Sequence, residues 1–202
     1  MELTKKKLDR EFYSRNADEV AQDLLGKCLV RISSEGKTIG KIVETEAYLG
    51  EEDPASHSYQ SSKTERTEVM FGPAGHAYVY MIYGMYYCFN VVTGTEGEPE
   101  GVFVRALEPL DGMKLMEERR GVNDRRELTD GPGKLCMAMD IDKQLNGEDL
   151  CGAKLYVVES KGSEDFDIEK ARRVNIDYAG EAKEWKLRFF IEGNPNVSKR
   201  SR

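Results

Sequence analysis

The segment HAYVYMIYGMYYCFNVV (76–92) constrains the fold of this chain more than any other segment does. Aromatic and β-branched residues fill it on both sides of Gly84, a composition typical of paired strands. Glycine supplies the backbone freedom that a tight turn requires. We therefore predict an antiparallel hairpin with Tyr83, Gly84 and Met85 at its tip.

The tip of this hairpin indicates a function, whereas its strands have a structural explanation. The preference of aromatic rings for strands accounts for Tyr86, Tyr87 and Phe89. It does not account for Tyr83, because a tip offers a side chain little core to pack into. A residue such as Tyr83, with Met85 beside it, is suited to act as a wedge between base pairs, as apolar residues do in minor-groove binders.

The other patterns predict an α+β fold in a single domain over residues 1–202. We expect a curved, open antiparallel sheet of the barrel or roll type, with surrounding helices and the protruding hairpin, because the hairpins do not alternate with helices as βαβ units do. A basic tail over about 196–202 is expected to be flexible. Further strands are predicted at 28–33, 38–49, 101–107, 154–160 and 187–192, with a turn at Glu35-Gly36-Lys37, and helices from an Asn16 cap to Gly26, at 111–120 and at about 132–139.

Composition excludes several classes of protein. With 39% hydrophobic and 33% charged residues, the chain suits a soluble globular protein and not a disordered one. No run approaches the roughly 18 apolar residues of a membrane span, and the charged N-terminus lacks the apolar centre of a signal peptide, so we expect an intracellular protein with no membrane partner. The formal net charge of -7 argues against a nucleic-acid binder. That charge is uneven, however, because residues 91–170 are net -8 and residues 171–202 are net +4.

The cysteines and histidines predict no metal site. No two of the four cysteines have the C-x2-C spacing that places two thiolates on one ion, and two histidines are too few for a zinc site. Reduced thiols in an intracellular protein are the simplest interpretation. We expect neither a metal nor another cofactor.

The predicted strand 38–49 carries two carboxylates on one face. Alternation places Glu44, Glu46 and Tyr48 together, with the two carboxylates roughly 6–7 Å apart. If that face is partly buried, both carboxylates cannot ionise freely and one pKa should rise. A solvated strand face is the structural alternative, although Tyr48 beside the pair can form the wall of a pocket for a flat ligand.

Four other polar residues are candidates for structural or functional roles. Asn90 is expected on the same strand face as Cys88, where a buried amide needs partners and can check the edge of a purine. Arg105 interrupts an apolar strand, so it reaches a carboxylate or phosphate, or forms a plain structural ion pair. His57, in a polar loop, is on general grounds a surface residue. Lys134 follows a glycine-rich helix start that favours an anion, and we interpret it as a phosphate contact.

Five runs of sequence together resemble the methylpurine (alkyladenine, 3-methyladenine) DNA glycosylase family. They occur in order and cover nearly the whole chain, so chance agreement is negligible. The runs are VETEAYLGEEDPASHS (43–58), MFGPAGHAYVYMIYGMYYCFNVV (70–92), VRALEPL (104–110), DGPGKLCMAM (130–139) and RVNIDYAGEAKEWKLRFFIEGNP (173–195).

The resemblance implies a monofunctional DNA repair enzyme that flips a damaged purine out of double-stranded DNA and leaves an abasic site. It implies that Glu46 is the general base for a water that attacks C1′ and that Arg105 helps to hold this water. Tyr83 would fill the gap in the duplex, with Met85 beside it. Expected lesions are 3-methyladenine, 7-methylguanine, hypoxanthine and etheno-adenine.

The resemblance also implies a pocket for the extruded base. Tyr48, His57 and Tyr80 match the positions that sandwich and hydrogen-bond it. Ala55 matches a main-chain contact, and Asn90 matches the residue that clashes with the 2-amino group of guanine.

The loop SYQSSKTERTEVM (58–70) departs from the family pattern. It lacks a glycine-rich stretch and a Thr-Pro-Arg run, and Glu65 stands where proline is expected. The family's DNA contacts are therefore not assigned to Lys63 and Arg66.

Two alternative functions stay open, a damaged-DNA-binding module without chemistry and a small-molecule nucleosidase or glycosidase. We expect a monomer.

Overall fold

A nine-stranded antiparallel sheet forms the centre of the protein, seen in a computed structural model that describes residues 3–160 and 165–198. The sheet does not close on itself, since its main path runs in the order β1-β7-β2-β3-β6-β5-β4, while β9 pairs with β3 and β8 pairs with β9. The strands are β1 (Leu3–Lys7), β2 (Cys28–Ser33), β3 (Gly36–Tyr48), β4 (Ala77–Ile82), β5 (Tyr86–Thr93), β6 (Glu100–Asp111), β7 (Leu155–Ser160), β8 (Ile168–Ala171) and β9 (Arg188–Ile191).

Short helices pack around this sheet. They are α1 (Arg10–Tyr13), α2 (Ala17–Asp23), α3 (Met113–Arg120) and α4 (Pro132–Ala138). The Asn16 side chain does not cap α2, and a carboxylate oxygen of Glu100 instead accepts the Ala17 N–H at 2.7 Å. Within the described ranges, every helix is too short or too polar to span a lipid bilayer.

Strand β3 lies at the centre of the sheet. It pairs with β2 from Gly36 to Lys41, with β6 from Ile39 to Tyr48 and with β9 from Glu44 to Glu46. The register against β6 shifts between Ile42 and Thr45, which is typical of a β-bulge. Every residue from Thr38 to Ala47 is buried, so any charged group on this part of the strand must find partners inside the protein.

The predicted hairpin is confirmed as β4 and β5. Tyr78 pairs with Asn90 and Tyr80 pairs with Cys88, so these four residues occupy neighbouring positions in the ladder. Tyr83 and Gly84 form the turn with φ of 52° and 69°, a backbone region in which glycine is unstrained.

The α+β prediction is confirmed, with differences in detail. Strand β6 continues to Asp111 instead of ending at 107, and Gly36 opens β3 instead of lying in the turn, which is formed by residues 34–35. The short elements β1, α1 and β8 carry no periodicity long enough to predict them. Most of the tail expected to be flexible lies outside the described residues, although Asn196 and Ser198 within it are buried.

Candidate active site

A cavity of about 350 Å³ opens between the hairpin, the end of β3 and the segment 173–178. This volume lies at the lower end of the range for ligand pockets, which suits a ligand the size of one nucleobase. Predicted site residues line it together: Tyr48, Ala55, His57, Tyr80, Tyr83, Asn90 and Arg105.

Glu46 lies directly behind the wall of this cavity. Its Oε2 accepts a hydrogen bond from the Tyr48 hydroxyl at 3.0 Å, and its Oε1 accepts one from the Val174 N–H at 2.8 Å. Nη1 of Arg105 is 3.3 Å from the same Oε1. All three partners line the cavity, whereas Glu46 itself has no exposed surface. The solvated-face interpretation is therefore wrong.

Glu44 is the more heavily bonded carboxylate of the pair. Its Oε1 accepts hydrogen bonds from Nε of Arg105 at 2.8 Å and Nε of Arg188 at 2.7 Å, and Ser198 donates both its N–H and its hydroxyl. Burial alone would raise the pKa of Glu44, but the two arginines and Ser198 outweigh it and lower that pKa. The rise predicted for one pKa of the pair does not occur at Glu44.

Arg105 joins the two carboxylates, which confirms that it reaches an acidic partner. Burial opposes its charge, yet Glu46 and Glu44 raise the pKa of the guanidinium above its ordinary value. A group held in this way is a fixed positive charge at the cavity wall.

Tyr48 lines the cavity and contacts two charged residues, Glu46 through its hydroxyl and Arg173 through its ring. Burial, and next the negative charge of Glu46, raise the pKa of its hydroxyl, so the phenol stays protonated and donates to Glu46. The guanidinium of Arg173 lies 4.7 Å from the ring centroid and pairs with Asp53 through its two terminal nitrogens, Nη1 and Nη2. Arg173 also donates to the Ala47 carbonyl at 3.0 Å, which anchors the end of β3.

Asp53 also shapes the loop that follows β3. One oxygen accepts the Leu49 N–H at 3.1 Å and the other accepts the Ala55 N–H at 3.0 Å. The Ala55 carbonyl in turn accepts the Tyr178 hydroxyl at 3.2 Å. These bonds hold the main chain of Ala55 at the cavity wall.

His57 is a cavity residue, so its interpretation as a surface residue is wrong. Its Nδ1 is 2.9 Å from the Tyr78 hydroxyl, and its ring meets Tyr80 edge to face at 4.7 Å between centroids. Burial, with a smaller contribution from Arg66, lowers the pKa of His57 to about 4. The imidazole is therefore neutral at physiological pH.

Asn90 and Cys88 face the cavity side by side, as alternation predicts. The Asn90 side chain is 7% exposed, and its Nδ2 donates to the Tyr78 carbonyl at 3.2 Å, which fixes the direction of the amide. Burial raises the pKa of the Cys88 thiol to about 11, so this sulfur is not a thiolate nucleophile at neutral pH.

The tip of the hairpin stands out from the protein, as expected. Tyr83 is 79% exposed and Met85 is 65% exposed.

Lys134 lies on α4, where its Nζ pairs with Asp130 at 2.8 Å. Its role as a phosphate contact stays a prediction.

Sequence reasoning did not assign roles to several groups that complete the site. The Val174 N–H is a backbone group, so no residue type in the sequence marks it as a partner of Glu46. Ser198 bonds to Glu44 although the two residues are 154 positions apart in the chain. Tyr178 and Arg173 belong to the run 173–195, whose aromatic and basic residues were the one available signal. Within residues 3–160 and 165–198, no cluster of three or more metal-ligating side chains could hold a metal ion.

Comparison with known proteins agrees with the resemblance found in the sequence. The sequence model of the family described as "Methylpurine-DNA glycosylase (MPG)" matches residues 11–195. A Clostridium acetobutylicum protein is 53% identical over 200 residues, covering 95% of this chain and 97% of its own. Relatives from Desulfitobacterium hafniense and Natranaerobius thermophilus are each 51% identical, over 96% and 95% of this chain and 98% of their own. All three carry the name "Putative 3-methyladenine DNA glycosylase". The chain belongs to the methylpurine-DNA glycosylase family.

Proposed function

We propose that the protein is a monofunctional DNA glycosylase that flips alkylated or deaminated purines out of double-stranded DNA and hydrolyses their N-glycosidic bond. The observation that carries this proposal is the buried carboxylate of Glu46, held by Arg105, Tyr48 and Val174 at the wall of a purine-sized cavity. Relatives named for 3-methyladenine, at about half identity, support the same substrate class.

In the proposed reaction, Glu46 is the general base. The bond between C1′ and the base nitrogen breaks, and its electron pair leaves with the base. A water oxygen bonds to C1′ and gives a proton to the Glu46 carboxylate, whose negative charge also stabilises the cationic sugar. Because Glu46 has no exposed surface, at least one of its contacts with Tyr48, Arg105 and Val174 must open to admit this water, and the Arg105 guanidinium would help to orient it.

The cavity would hold the extruded base by stacking and by hydrogen bonds. A base inside a duplex is inaccessible, and a damaged base costs less to extrude. Tyr48, Tyr80 and His57 supply aromatic surface, and the Ala55 main chain supplies a polar contact. The fixed amide of Asn90 would clash with the 2-amino group of an undamaged guanine.

Several flat purines fit these requirements. Hypoxanthine, 3-methyladenine, 7-methylguanine and etheno-adenine are the proposed lesions, each with an aromatic face for Tyr48 and Tyr80. Tyr83 and Met85 would occupy the space that the flipped nucleotide leaves, because an exposed aromatic ring can stack where a base is missing. Lys134 is proposed to contact a phosphate, and we propose that the protein acts as a monomer.

Base release from duplexes with single lesions tests this function. We expect release of at least one of the four bases, none from an undamaged duplex, and an abasic strand that stays uncleaved until alkali is added. Tight binding of lesion duplexes without release would instead favour a damaged-DNA-binding module. Release from free nucleosides such as inosine, unaffected by competing duplex, would favour a nucleosidase.

A further inference from the structure

Arg66 lies against the base cavity but has no part in the proposed reaction. Its guanidinium carbon is 4.7 Å from the centroid of the Tyr80 ring, and its Nη2 is 3.4 Å from Nε2 of His57. Tyr80 and His57 line the cavity, whereas Arg66 does not and is exposed. The cation therefore packs against an aromatic wall of the cavity without lining the cavity itself.

Arg66 has no carboxylate partner among the described residues, although a further carboxylate, that of Glu100, lines the cavity and accepts the Ala17 N–H. The buried carboxylates and arginines around the cavity match in number, and each carboxylate contacts at least one of the arginines. They are Glu44, Glu46 and Asp53 with Arg105, Arg173 and Arg188. Among the residues that the structure describes, no carboxylate oxygen lies within 4.0 Å of the Arg66 guanidinium.

A cation on one face of an aromatic ring weakens the attraction of the other face for a second cation. The attraction arises from the negative potential of the ring faces, and two cations on one ring repel each other through it. Tyr48, the second ring of the proposed sandwich, likewise carries the guanidinium of Arg173 at 4.7 Å. His57 is neutral and adds no further positive charge to this wall.

Resting on the proposed function, we propose that Arg66 is a specificity-determining residue that disfavours cationic purines relative to neutral ones in the base cavity. 7-Methylguanine and 3-methyladenine carry a positive charge in DNA, whereas hypoxanthine and etheno-adenine do not. Arg66 raises the free energy of a cationic base stacked on Tyr80 and leaves that of a neutral base nearly unchanged. The resulting preference is a ratio, so phosphate contacts common to all DNA cancel from it.

Competition binding tests this inference. The ligands are two duplexes, one with 7-methylguanine and one with hypoxanthine, each bearing a 2′-fluorine that slows bond cleavage. We expect Arg66→Gln to shift the affinity ratio toward 7-methylguanine by about fivefold, because two unit charges roughly 8 Å apart across a stacked ring repel on this scale at an effective dielectric constant of about 40, a value between that of a protein surface and that of bulk water. Arg66→Lys keeps a positive charge and should restore most of the original ratio.

Two controls separate charge at this position from other effects. Arg126 is exposed and pairs with Asp124 away from the cavity, so Arg126→Gln makes the same change in net charge and should leave the ratio unchanged. High salt should shrink the difference between Arg66→Gln and the wild type, because the exposed guanidinium is screened. The unfolding midpoint of each variant verifies folding.

The outcomes distinguish this inference from the function on which it rests. An unchanged ratio in Arg66→Gln, or equal weakening of both duplexes as expected of a phosphate contact, would overturn the inference. The wild type is also assayed on the same duplexes without fluorine. If neither of these bases is released, and neither 3-methyladenine nor etheno-adenine is released from its own duplex, the proposed function is contradicted. Release of both bases with an unchanged affinity ratio in Arg66→Gln contradicts only the role of Arg66.

Discussion

At the scale of the residue, Glu44 and Glu46 differ in what surrounds them. Glu44 accepts hydrogen bonds from Arg105, Arg188 and Ser198, which occupy its oxygens with protein groups. The partners of Glu46 all line the cavity. Strand alternation predicted that the two would lie together, but only their partners separate a structural carboxylate from a candidate base.

Glu44→Gln should destabilise the protein strongly. The substitution leaves Arg105 and Arg188 without their shared charge in a buried site, and breaking a buried pair in this way costs about 3–5 kcal/mol. Urea unfolding measures the loss. Glu118→Gln, at an exposed position on α3, is the control and should change the free energy of unfolding by less than about 0.5 kcal/mol.

The same variant predicts a pH dependence. The folded pKa of Glu44 lies below its ordinary value of 4.5, so its stabilising contribution is complete above pH 4.5 and is lost as pH falls through the folded pKa. The stability difference between the wild type and Glu44→Gln should therefore narrow below pH 4.5. A difference that stays constant down to pH 3 would contradict this account.

His57 should titrate with a pKa of about 4, because burial and then Arg66 disfavour its charged form. Between pH 4 and the ordinary value of 6.5, the unfolded chain binds a proton at this position that the folded chain does not, so stability rises with pH across this window. NMR titration of the two histidines, assigned with His76→Gln, measures the pKa. Arg66→Gln should raise it, and a wild-type value near 6.5 would show that His57 is not buried as described.

At the scale of the element, the hairpin was predictable because its information is local. Nearly continuous apolar and aromatic residues on both sides of a single Gly84 define β4, β5 and the turn. Strand β3 was predictable as a strand, but its partners were not. Val174 bonds to Glu46 across 128 positions and Arg173 pairs with Asp53 across 120, and no local pattern encodes such distances.

Tyr83→Ser should weaken binding and base flipping without lowering stability. The side chain is 79% exposed, so it contributes little to the core, whereas base–aromatic stacking is worth about 1–3 kcal/mol. Fluorescence of 2-aminopurine beside the lesion measures flipping, and thermal unfolding is the control. Unchanged flipping would exclude Tyr83 as the wedge.

At the scale of the whole molecule, the net charge of -7 is a poor guide to DNA binding. Net charge sums over all faces, and the acidic excess lies in residues 91–170, whereas the arginines of the site pair with buried carboxylates. Amino-acid composition therefore gave the sign of the total charge but not its arrangement, which depends on how the chain folds.

An acidic protein that binds DNA mainly through a flipped base and a wedge should show a shallow salt dependence. Counterion release scales with the number of phosphates contacted. We expect the slope of log affinity against log salt concentration to correspond to fewer than about ten phosphate contacts. A steeper slope would indicate a broad phosphate-binding surface that the account lacks.

The central claim is that Glu46 activates the water that releases the base. The most direct measurement is the single-turnover release of hypoxanthine by Glu46→Gln, with binding to a duplex containing an abasic-site analogue measured in parallel. We expect release to fall by about 10²–10⁴-fold, the typical contribution of a general base, while binding to the analogue persists. Release at the wild-type rate would contradict the account.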